Sequence, residues 1–498
     1  MEKSNPIRKN RADTCDWTPS RESLPVQTDQ GVLLLDHYDE PAAMLKESFR
    51  SAGFNGPVIV IRDEGFLPWD VLSLYRWFCR DRNEVPLPGT VRMRRPYDPF
   101  RRRRYRLTHA GWEPGKARFF NQIEVPDYWE ISGNSGSGEV HDLQHLRGRI
   151  FYAGPSGHRL VSEVDWLNEQ GTVRCTDHYD RRGFQYSRTV FNKSGERFCR
   201  CWFDELGRER IVENYVTGDI IVNRSGTVQI FHNTTELAVT MIREIGAEGA
   251  RMFYNSLSVP FFITERLKKP EEGNVLFWQE APREDIPGNM RVILEGHTGT
   301  EEICVQNRDS FARLAESGAE DLGGAAIHPF GFVYRFRRKN RGSRNVLICT
   351  NSDQIEQLQT LVEALPEVQF HIAAVTEMSS RLLAFGRYGN VLLYPTASES
   401  LLDELFQKCD YYLDINHGGE IREAVRQAFL NEQLILGFKK TLHRSRCTAR
   451  EHVFTDADGL LRLMKTLTED PALLREHLLV QKQAAMEEPA KAYRKLFK

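Results

Sequence analysis

The sequence predicts an α/β protein of two lobes, with an antiparallel β-meander inserted in the first lobe. Near both ends of the chain, short apolar runs alternate with stretches of helical periodicity, which is typical of parallel sheets covered by helices. In the middle, polar residues alternate with β-branched or aromatic ones between spaced glycines, which indicates antiparallel strands joined by tight turns. The 498 residues also exceed one ordinary domain.

Composition and charge exclude several classes of protein. The 67 basic and 69 acidic residues give a net charge of −2, so the overall charge does not favour nucleic acid. No apolar run resembles a signal peptide or reaches the roughly 18 residues of a spanning helix, which predicts a cytoplasmic protein. The nine cysteines include no C-x-x-C pair, which predicts reduced thiols with neither a disulfide framework nor a zinc site.

The first lobe begins after a polar N-terminal segment. Residues 1–30 are predicted to be disordered because they lack a core-forming pattern. From Gly31, the segments GVLLLDHY, PAAMLKESFRSAG and GPVIVIRD predict a strand, a helix and a strand, the opening of a βαβ unit. Residues 31–88 are therefore assigned to the first part of this lobe.

An Arg-rich segment follows. Its arginines are Arg92, Arg94, Arg95, Arg101, Arg102, Arg103, Arg104, Arg106 and Arg118. One interpretation is a solvated insertion whose arginines repel one another, and the other is a patch for an anionic lipid headgroup or an acidic partner. We favour the solvated insertion because a single run of charge has no defined geometry.

Turn glycines define the meander, which we assign to residues 89–234. They are Gly171, Gly183, Gly195, Gly207, Gly218 and Gly226. Each of the first four closes an Asn/Asp-x-x-Gly turn, namely NEQG, DRRG, NKSG and DELG. In such turns the Asn or Asp side chain bonds the backbone and the glycine takes a positive φ.

The α/β pattern resumes over residues 235–340, the second part of the first lobe. Its predicted helices are 236–249, 260–267 and 301–318, and its predicted strands are 251–257, 274–280 and 291–296. A basic linker over 335–344 leads into the second lobe, residues 341–475. There the predicted strands are 345–352, 370–375, 390–395, 411–415 and 434–438, and the predicted helices are 353–366, 400–409 and 420–431. Residues 476–498 are predicted as a helical tail. Two such lobes leave a cleft between the carboxyl ends of their sheets.

Several strings are similar to a known family. They are GFLPWDV (65–71), EVPDYWEI (124–131), VENYVTGDIIVN (212–223), LFWQE (276–280), CTNSDQIEQL (349–358), TEMSS (376–380) and CDYYLDINHGGEI (409–421). They resemble the stabilising, or glycosylation-chaperone, subunit of the accessory Sec system, a GT-B-like family with two Rossmann-like lobes. The resemblance extends from about Gly31 to the low 470s and leaves out the Arg-rich insertion.

The resemblance implies a subunit that is not itself an enzyme and needs no cofactor. Members of this family pair with a catalytic subunit that transfers N-acetylglucosamine from UDP-N-acetylglucosamine to serine-rich repeat adhesins. This chain is then expected to stabilise and activate that subunit, to bind the acceptor, and to contact the partner's own meander. The family also implies attachment to the inner face of the cell membrane, and the Arg-rich segment is the sequence feature that supports it.

The groups that bind the sugar donor in a GT-B enzyme resembling this chain are missing from the second lobe. By register, Gly418 replaces the glutamate near the sugar hydroxyls, and Arg426 replaces the glutamate on the ribose. Guanidinium has no acceptor for ribose hydroxyls. Asn351 and Glu356 replace the Arg and Lys of the diphosphate site, where a carboxylate would repel the phosphates. We therefore predict that the donor site is degenerate, that the chain has no catalytic residues, and that it has no metal site.

Three titratable residues, Asp414, His417 and His443, form the densest such set near the predicted cleft. No serine or cysteine nucleophile motif accompanies them. We favour a structural role, in which the histidines bond backbone groups at strand ends, over a catalytic one.

The acceptor has candidate ligands at the ends of two strands. Trp278, Gln279 and Glu280 end a strand of the first lobe, and Asn416 and His417 follow one of the second. An aromatic, polar cleft suits an extended Ser/Thr-rich peptide, although Trp278 fits a packing role equally well. Two alternatives stay open. One is an active retaining glycosyltransferase with a rearranged donor site, and the other is a scaffold whose meander edge makes every functional contact.

Overall fold

The computed structural model describes residues 28–80, 112, 115–154, 156–224 and 226–497. The chain divides into two compact units. One, the meander unit, contains residues 56–248. The other, the two-lobed unit, contains residues 30–55 and 249–498.

The strands and helices of the described residues are as follows. The strands are β1 (Val32–Leu35), β2 (Val58–Val60), β3 (Leu72–Ser73), β4 (Glu130–Gly133), β5 (Ser137–Asp142), β6 (His145–Tyr152), β7 (Val161–Leu167), β8 (Val173–Tyr179), β9 (Gln185–Phe191), β10 (Arg197–Phe203), β11 (Glu209–Asn214), β12 (Ile220–Arg224), β13 (Thr227–Phe231), β14 (Met252–Tyr254), β15 (Asn274–Trp278), β16 (Thr300–Val305), β17 (Ala326–Pro329), β18 (Asn345–Thr350), β19 (Gln369–Ala374), β20 (Val391–Tyr394), β21 (Tyr411–Asp414), β22 (Leu434–Phe438) and β23 (Val453–Phe454). The helices are α1 (Glu40–Ser51), α2 (Leu74–Cys79), α3 (Thr234–Glu244), α4 (Val259–Arg266), α5 (Gly288–Leu294), α6 (Arg308–Glu316), α7 (Leu358–Ala364), α8 (Ser380–Leu383), α9 (Glu399–Lys408), α10 (Ala424–Leu430), α11 (Ala457–Glu469), α12 (Pro471–Ala484) and α13 (Ala490–Arg494).

An antiparallel sheet of ten strands forms the centre of the meander unit. Its order runs from β4 to β13 without a crossover, so each strand pairs with the next one along the chain. The predicted meander is therefore confirmed, and β4 to β6 extend it before the glycine repeat begins. The end strands β4 and β13 each have one strand neighbour in this sheet.

The predicted turn chemistry is present in the meander. The Asn168 side-chain oxygen accepts the backbone N–H groups of Gln170 and Thr172 at 3.0 and 2.9 Å. Gly171 closes this turn with a φ of 77°. The same two bonds recur in the three following turns, which begin at Asp180, Asn192 and Asp204.

The first lobe of the two-lobed unit is built on parallel strands in the order β17-β16-β15-β14-β1. β1 precedes the meander in the chain and β14 follows it, and the two pair with Leu33 beside Phe253. This pairing confirms that the meander is inserted in the first lobe.

Residues 291–296 are predicted as a strand, but residues 291–294 belong to helix α5, which ends at Leu294. Met290, Ile293 and Leu294 are its buried residues, and their spacing matches one face of a helix. A short apolar run such as RVIL fits a strand and a buried helix equally well, and here the helical contacts decide.

Residues 301–318, predicted as one helix, form a strand and then a helix. The apolar residues Ile303 to Val305 are fully buried in β16. Helix α6 begins only after Asn307, whose side chain accepts the N–H of Ser310 at 3.1 Å. This N-cap fixes the boundary that periodicity alone did not show.

The second lobe has six parallel strands in the order β20-β19-β18-β21-β22-β23. Alternate residues of β18 belong to two different cores. Val346 and Ile348 pack in one, while Leu347 and Cys349 pack in the other. Burial on both faces explains why the strands of this lobe are continuous apolar runs.

The C-terminal segment packs against the first lobe. The Tyr493 ring lies 5.3 Å from Phe49 on α1 and 6.1 Å from Phe277 on β15, between ring centroids. Arg494 donates to the backbone oxygen of Ala52 at 3.0 Å. The predicted helical tail is therefore part of the core of the two-lobed unit.

Two predictions fall wholly or largely on residues outside those described, namely the disorder of residues 1–30, of which only 28–30 are described, and the role of the Arg cluster at 92–106. Within the described ranges, no helix combines the length and apolar character needed to cross a bilayer. The cysteines of the same ranges are free thiols, and five of them, including Cys304 and Cys349, are buried.

Candidate functional site

Two loops at the carboxyl ends of β18 and β21 are held side by side. Ile355 forms a β-bridge with Asn416, and the backbone N–H of Glu356 donates to the oxygen of Ile415 at 2.8 Å. The Thr350 hydroxyl donates to the Asn416 side-chain oxygen at 2.8 Å. These bonds hold the residues from 353 onward in a loop. Helix α7 therefore begins at Leu358 and not at the predicted residue 353.

Asn351 and Gly418, two of the predicted degenerate donor positions, are in contact here. A Cβ atom on residue 418 would lie 1.9 Å from the Asn351 side-chain oxygen and 3.1 Å from the Asn416 side-chain nitrogen. Any larger residue at 418, a glutamate included, therefore requires Asn351 to move. Both residues were assigned to the donor site from sequence register alone, and in the structure they lie side by side.

Glu356 and His417 form a close pair. His417 Nε2 lies 2.6 Å from Glu356 Oε2, and this hydrogen bond lowers the pKa of the Glu356 carboxyl. Glu356 is thus an anion at neutral pH, at the position that sequence register assigns to the lysine of the diphosphate site.

His443 is committed to two acceptors at once. Its Nδ1 lies 2.5 Å from Asp414 Oδ1 and its Nε2 lies 2.7 Å from the backbone oxygen of Gly418. The Asp414 hydrogen bond, opposed by burial and aided by the Gly418 carbonyl, raises the pKa of His443 to about 9. A cationic imidazole with both N–H groups used is a structural cross-link and not a general base. The geometry supports the structural role that we favoured.

Arg444 is surrounded by three carboxylates. Its Nε lies 2.6 Å from Glu420 Oε2, one Nη lies 3.5 Å from Glu423, and the other contacts Glu40 on α1. The other oxygen of Glu420 accepts the N–H of Val425, at the start of α10, at 3.1 Å. Arginine side chains and helix N-termini both bind phosphate groups in proteins. Here the protein's own Glu420 occupies both.

Arg426, the fourth predicted donor position, lies on α10. Its Nη1 is 3.3 Å from Glu423 and its Nε is 3.9 Å from Glu40. The two residues before the helix, Arg422 and Glu423, have φ of 45° and 54°. A left-handed backbone at two successive non-glycine residues costs free energy, so this loop is held by its ion pairs.

A cavity of about 450 Å³ lies within the two-lobed unit, next to these ion pairs. Its wall combines aromatic and basic side chains, among them Phe332, Tyr334, Arg426, Phe429, Arg444 and Arg446. Tyr334 and Phe429 meet edge to face at 4.8 Å. Tyr334 and Arg446 were not predicted from the sequence, although Tyr334 directly precedes the basic run RFRRKNRGSR and Arg446 ends the string HRSR.

The five predicted acceptor ligands are placed differently. The Trp278 side chain is buried, with 1% of its surface exposed, and the Asn416 side chain is tied to the loop of β18. Gln279 bonds inward, to the Pro41 oxygen at 3.0 Å and to Gln306 at 2.8 Å. Only Glu280 and His417, at 42% and 33% exposure, present side chains to solvent. None of the five is among the described residues that line the cavity.

Taken together, these residues can hold loops and bind polar groups through arginine, but they offer no free carboxylate pair for a sugar donor. Among the described residues at this edge, the acids Glu420, Glu423 and Asp414 are each bonded to a cation. The geometry is that of a cleft held closed by its own ion pairs.

Four models of protein-family domains match successive segments of the chain. They are the GtfB N-terminal domain over 32–78, the GtfB middle domain over 129–232, the GtfB third domain over 234–316 and the GftB/GlyA-F C-terminal domain over 346–481.

Similar proteins cover almost the whole chain. A Streptococcus agalactiae protein named UDP-N-acetylglucosamine–peptide N-acetylglucosaminyltransferase stabilizing protein GtfB is 35% identical over 470 residues, which is 93% of this chain and 98% of the relative. The Streptococcus gordonii protein of the same name is 36% identical over 88% of this chain and 91% of its own length. A chain in the crystal structure of the GtfA/B complex bound to UDP and GlcNAc has a TM-score of 0.80 and 33% identity, with 93% of this chain and 98% of that chain covered.

Proposed function

The chain belongs to the GtfB family of glycosyltransferase-stabilising proteins, and on this premise we propose that it is the non-catalytic subunit of an N-acetylglucosaminyltransferase complex. It stabilises and activates a catalytic partner of the GtfA kind. It also binds the partner's serine-rich repeat acceptor and so supports O-glycosylation of an exported adhesin.

One observation carries the non-catalytic assignment. Glu420 bonds both Arg444 Nε, at 2.6 Å, and the N-terminus of α10, at 3.1 Å, where a nucleotide diphosphate would otherwise find its positive charge. A diphosphate entering here would have to displace a carboxylate and break a partly buried ion pair. The adjacent donor position is Gly418, which has no carboxylate and no space for a side chain that carries one.

The edge strand β13 of the meander is the proposed contact with the catalytic subunit. Val228 and Ile230, two residues apart and therefore on one face, have 62% and 59% of their surface exposed. Ile221, the partner of Ile230 on β12, is 37% exposed and extends the same apolar face. An exposed apolar face beside an unpaired strand edge favours pairing with another sheet. The named complex of a similar protein, GtfA/B, supports a transferase as the occupant.

The acceptor peptide binds along the edge of the two-lobed unit where Glu280 and His417 are exposed. The Glu280 carboxylate can accept hydrogen bonds from serine and threonine hydroxyls and from backbone N–H groups, and the His417 ring can donate or accept them. Trp278, Gln279 and Asn416 position this edge from inside. The neighbouring aromatic and basic cavity, next to Arg444, extends the same surface.

The chain acts in the cytoplasm, on the inner side of the cell membrane. Its buried free thiols, such as Cys349 and Cys409, fit a reducing compartment. The Arg cluster at 92–106, which lies outside the described residues, is the proposed membrane contact. Loss of liposome binding on neutralising these arginines tests this contact, and a parent chain that binds no anionic liposomes contradicts it.

The test of the proposed function is N-acetylglucosamine transfer from UDP-N-acetylglucosamine to a Ser/Thr-rich acceptor. Three reactions are compared: this chain alone, a GtfA-type subunit alone, and the two mixed. We expect transfer by the mixture to exceed that by the GtfA-type subunit alone, and none by this chain alone. Turnover by this chain alone would contradict the assignment and favour an active donor site.

A further inference from the structure

Glu302, Cys304 and His328 lie together on the first-lobe sheet, away from the site described above. Glu302 and Cys304 are two residues apart on β16 and therefore share a face. His328 is the parallel-register partner of Cys304 on β17. Strand pairing thus places three different metal-binding side chains side by side.

The distances between their donor atoms are short and similar. His328 Nε2 lies 3.2 Å from Glu302 Oε1 and 3.6 Å from Cys304 Sγ, and this Sγ lies 3.8 Å from the same Glu302 oxygen. A tetrahedral Zn²⁺ with ordinary bond lengths separates its N and O ligands by about 3.3 Å, its N and S ligands by about 3.6 Å and its O and S ligands by about 3.5 Å. A single ion therefore fits between the three atoms with shifts of a few tenths of an ångström.

We propose that Glu302, Cys304 and His328 form a zinc site with one open coordination position. A thiolate and an imidazole select zinc over magnesium or calcium, which prefer oxygen ligands. The thiolate and the carboxylate together balance the two charges of Zn²⁺. The spacing of the cysteines does not predict this site, since only one of its ligands is a cysteine.

The surroundings of the site suit a bound cation. Zinc binds the thiolate form of a cysteine, so binding to Cys304 releases the thiol proton to solvent. The carboxylate of Glu488 acts electrostatically on both Cys304 and His328. Arg251, with one Nη 3.9 Å from Glu302, pairs with the same carboxylate. Glu302 and His328 are 23% and 36% exposed, which leaves an entry path for the ion.

Zinc at this position would stabilise the contact between the first-lobe sheet and the C-terminal segment. Phe330, two residues after His328, packs on both the His328 ring, at 5.8 Å, and the Tyr493 ring, at 4.9 Å. The backbone N–H of Glu488 donates to the oxygen of Phe332 at 2.8 Å. An ion that binds the folded chain and not the unfolded one raises the melting temperature.

The test uses the full chain, stripped of metal with a chelator and then titrated with Co²⁺ as a spectroscopic substitute for Zn²⁺. We expect one equivalent to give a sulfur-to-cobalt charge-transfer band and the intense visible bands of tetrahedral cobalt, both bleached by Zn²⁺. His328→Gln and Cys304→Ser should abolish these bands and weaken zinc binding by more than about 100-fold, beyond the loss typical of changing a residue that only hydrogen-bonds to a metal ligand. Cys349→Ser, another buried cysteine of a parallel strand, is the matched control and should keep them.

The variants separate this site from the other thiols. His328 is partly exposed, so His328→Gln should fold even if Cys304→Ser does not, and circular dichroism verifies both. Folded wild-type chain that binds no Co²⁺ or Zn²⁺ overturns the proposal. Bands that survive in His328→Gln, or that disappear with Cys199→Ser and Cys201→Ser, overturn it as well, because the ion would then be bound elsewhere. No result of this test depends on transferase activity, so it is independent of the proposed function.

Discussion

Glu420 lies between Arg444 and the N-terminus of α10, with one oxygen 2.6 Å from Arg444 Nε and the other 3.1 Å from the N–H of Val425. The residue thus neutralises a guanidinium and caps a helix at the carboxyl edge of the second sheet. Arg444 also contacts Glu40 of the first lobe. The same ion pairs therefore hold the loop of the second lobe against helix α1.

Removal of the Glu420 charge should destabilise the chain. Glu420→Gln leaves Arg444, only 20% exposed, without its best partner, and we expect a loss of about 1–3 kcal/mol in the free energy of unfolding. Glu399→Gln is the control, because Glu399 pairs with Arg422 at 2.7 Å but is 63% exposed and should lose less than about 1 kcal/mol. Urea unfolding measures both, and equal losses would contradict the role of burial.

The contact between Gly418 and Asn351 should appear as an energetic coupling. Gly418→Ala places a Cβ 1.9 Å from the Asn351 oxygen, so we expect a cost of about 1–3 kcal/mol. The cost should shrink in an Asn351→Ala background, where the obstructing oxygen is absent. Gly419→Ala is the matched control, since a Cβ there meets nothing within 4 Å. Additive losses in the double variant would show that the clash lies elsewhere.

The stability of the chain should depend on the protonation of His443. Its folded pKa of about 9 lies above the ordinary value of 6.5, chiefly because Asp414 accepts a hydrogen bond from the protonated ring. A raised pKa gives stability that is fully present below pH 6.5 and is lost as the pH rises through about 9. The contribution is on the order of 3 kcal/mol at its maximum. Glu420 also favours the charged form, as does the Gly418 carbonyl.

Urea unfolding of the wild type and of His443→Gln, at pH 6 and at pH 9.5, measures this contribution. We expect the difference in free energy of unfolding to be largest at pH 6 and to decrease at pH 9.5. Other groups that titrate affect both proteins alike and cancel in the difference. A difference that stays constant with pH would show that His443 is not the titrating residue.

Most of the fold was predictable because its signals are local. The strands β1, β18 and β22 are short buried runs bounded by turn residues, and the meander follows from Asn/Asp-x-x-Gly turns such as the one at Asn168. The errors arose where the local signal is ambiguous. The run before Glu295 became helix α5 because its spacing matched the neighbouring core, and tertiary packing made that choice.

The site was predictable only in part, because its contacts are non-local. Strand ends placed Asn351 beside Gly418, since carboxyl ends of neighbouring parallel strands meet at one edge. Arg444 and Glu40, by contrast, are 404 positions apart in the chain, and no sequence pattern links them. Trp278 ends a strand whose residues are buried on both faces, so alternation could not show which way its side chain points.

The apolar face of β13 should determine complex formation. Ile230 is 59% exposed in the free chain and is buried in the proposed complex. Ile230→Asp places a charge there, so we expect the affinity for the partner to fall by roughly 30-fold or more. Folding should be unaffected because the residue makes few contacts in the free chain. Gln229→Asp, on the other face of the same strand, is the control. Co-purification and titration calorimetry with a GtfA-type subunit measure both variants, and unchanged affinity in Ile230→Asp would place the interface elsewhere.

Acceptor binding should depend on the side chains of His417 and Glu280 and not on direct contact with Trp278. Trp278→Ala removes a side chain of which only 1% is exposed, so we expect a loss of about 3–5 kcal/mol in stability. A loss of binding in this variant would follow from the lower stability and not from a missing contact with the peptide. His417→Ala and Glu280→Ala change side chains at 33% and 42% exposure and should leave folding nearly intact. Fluorescence anisotropy with a labelled Ser/Thr-rich peptide should show weaker binding in both, while Glu284→Ala, an exposed carboxylate in the same loop, should bind as the wild type does. If both variants keep full affinity, the acceptor does not bind along this edge, and the aromatic and basic cavity beside Arg444 becomes the surface to test.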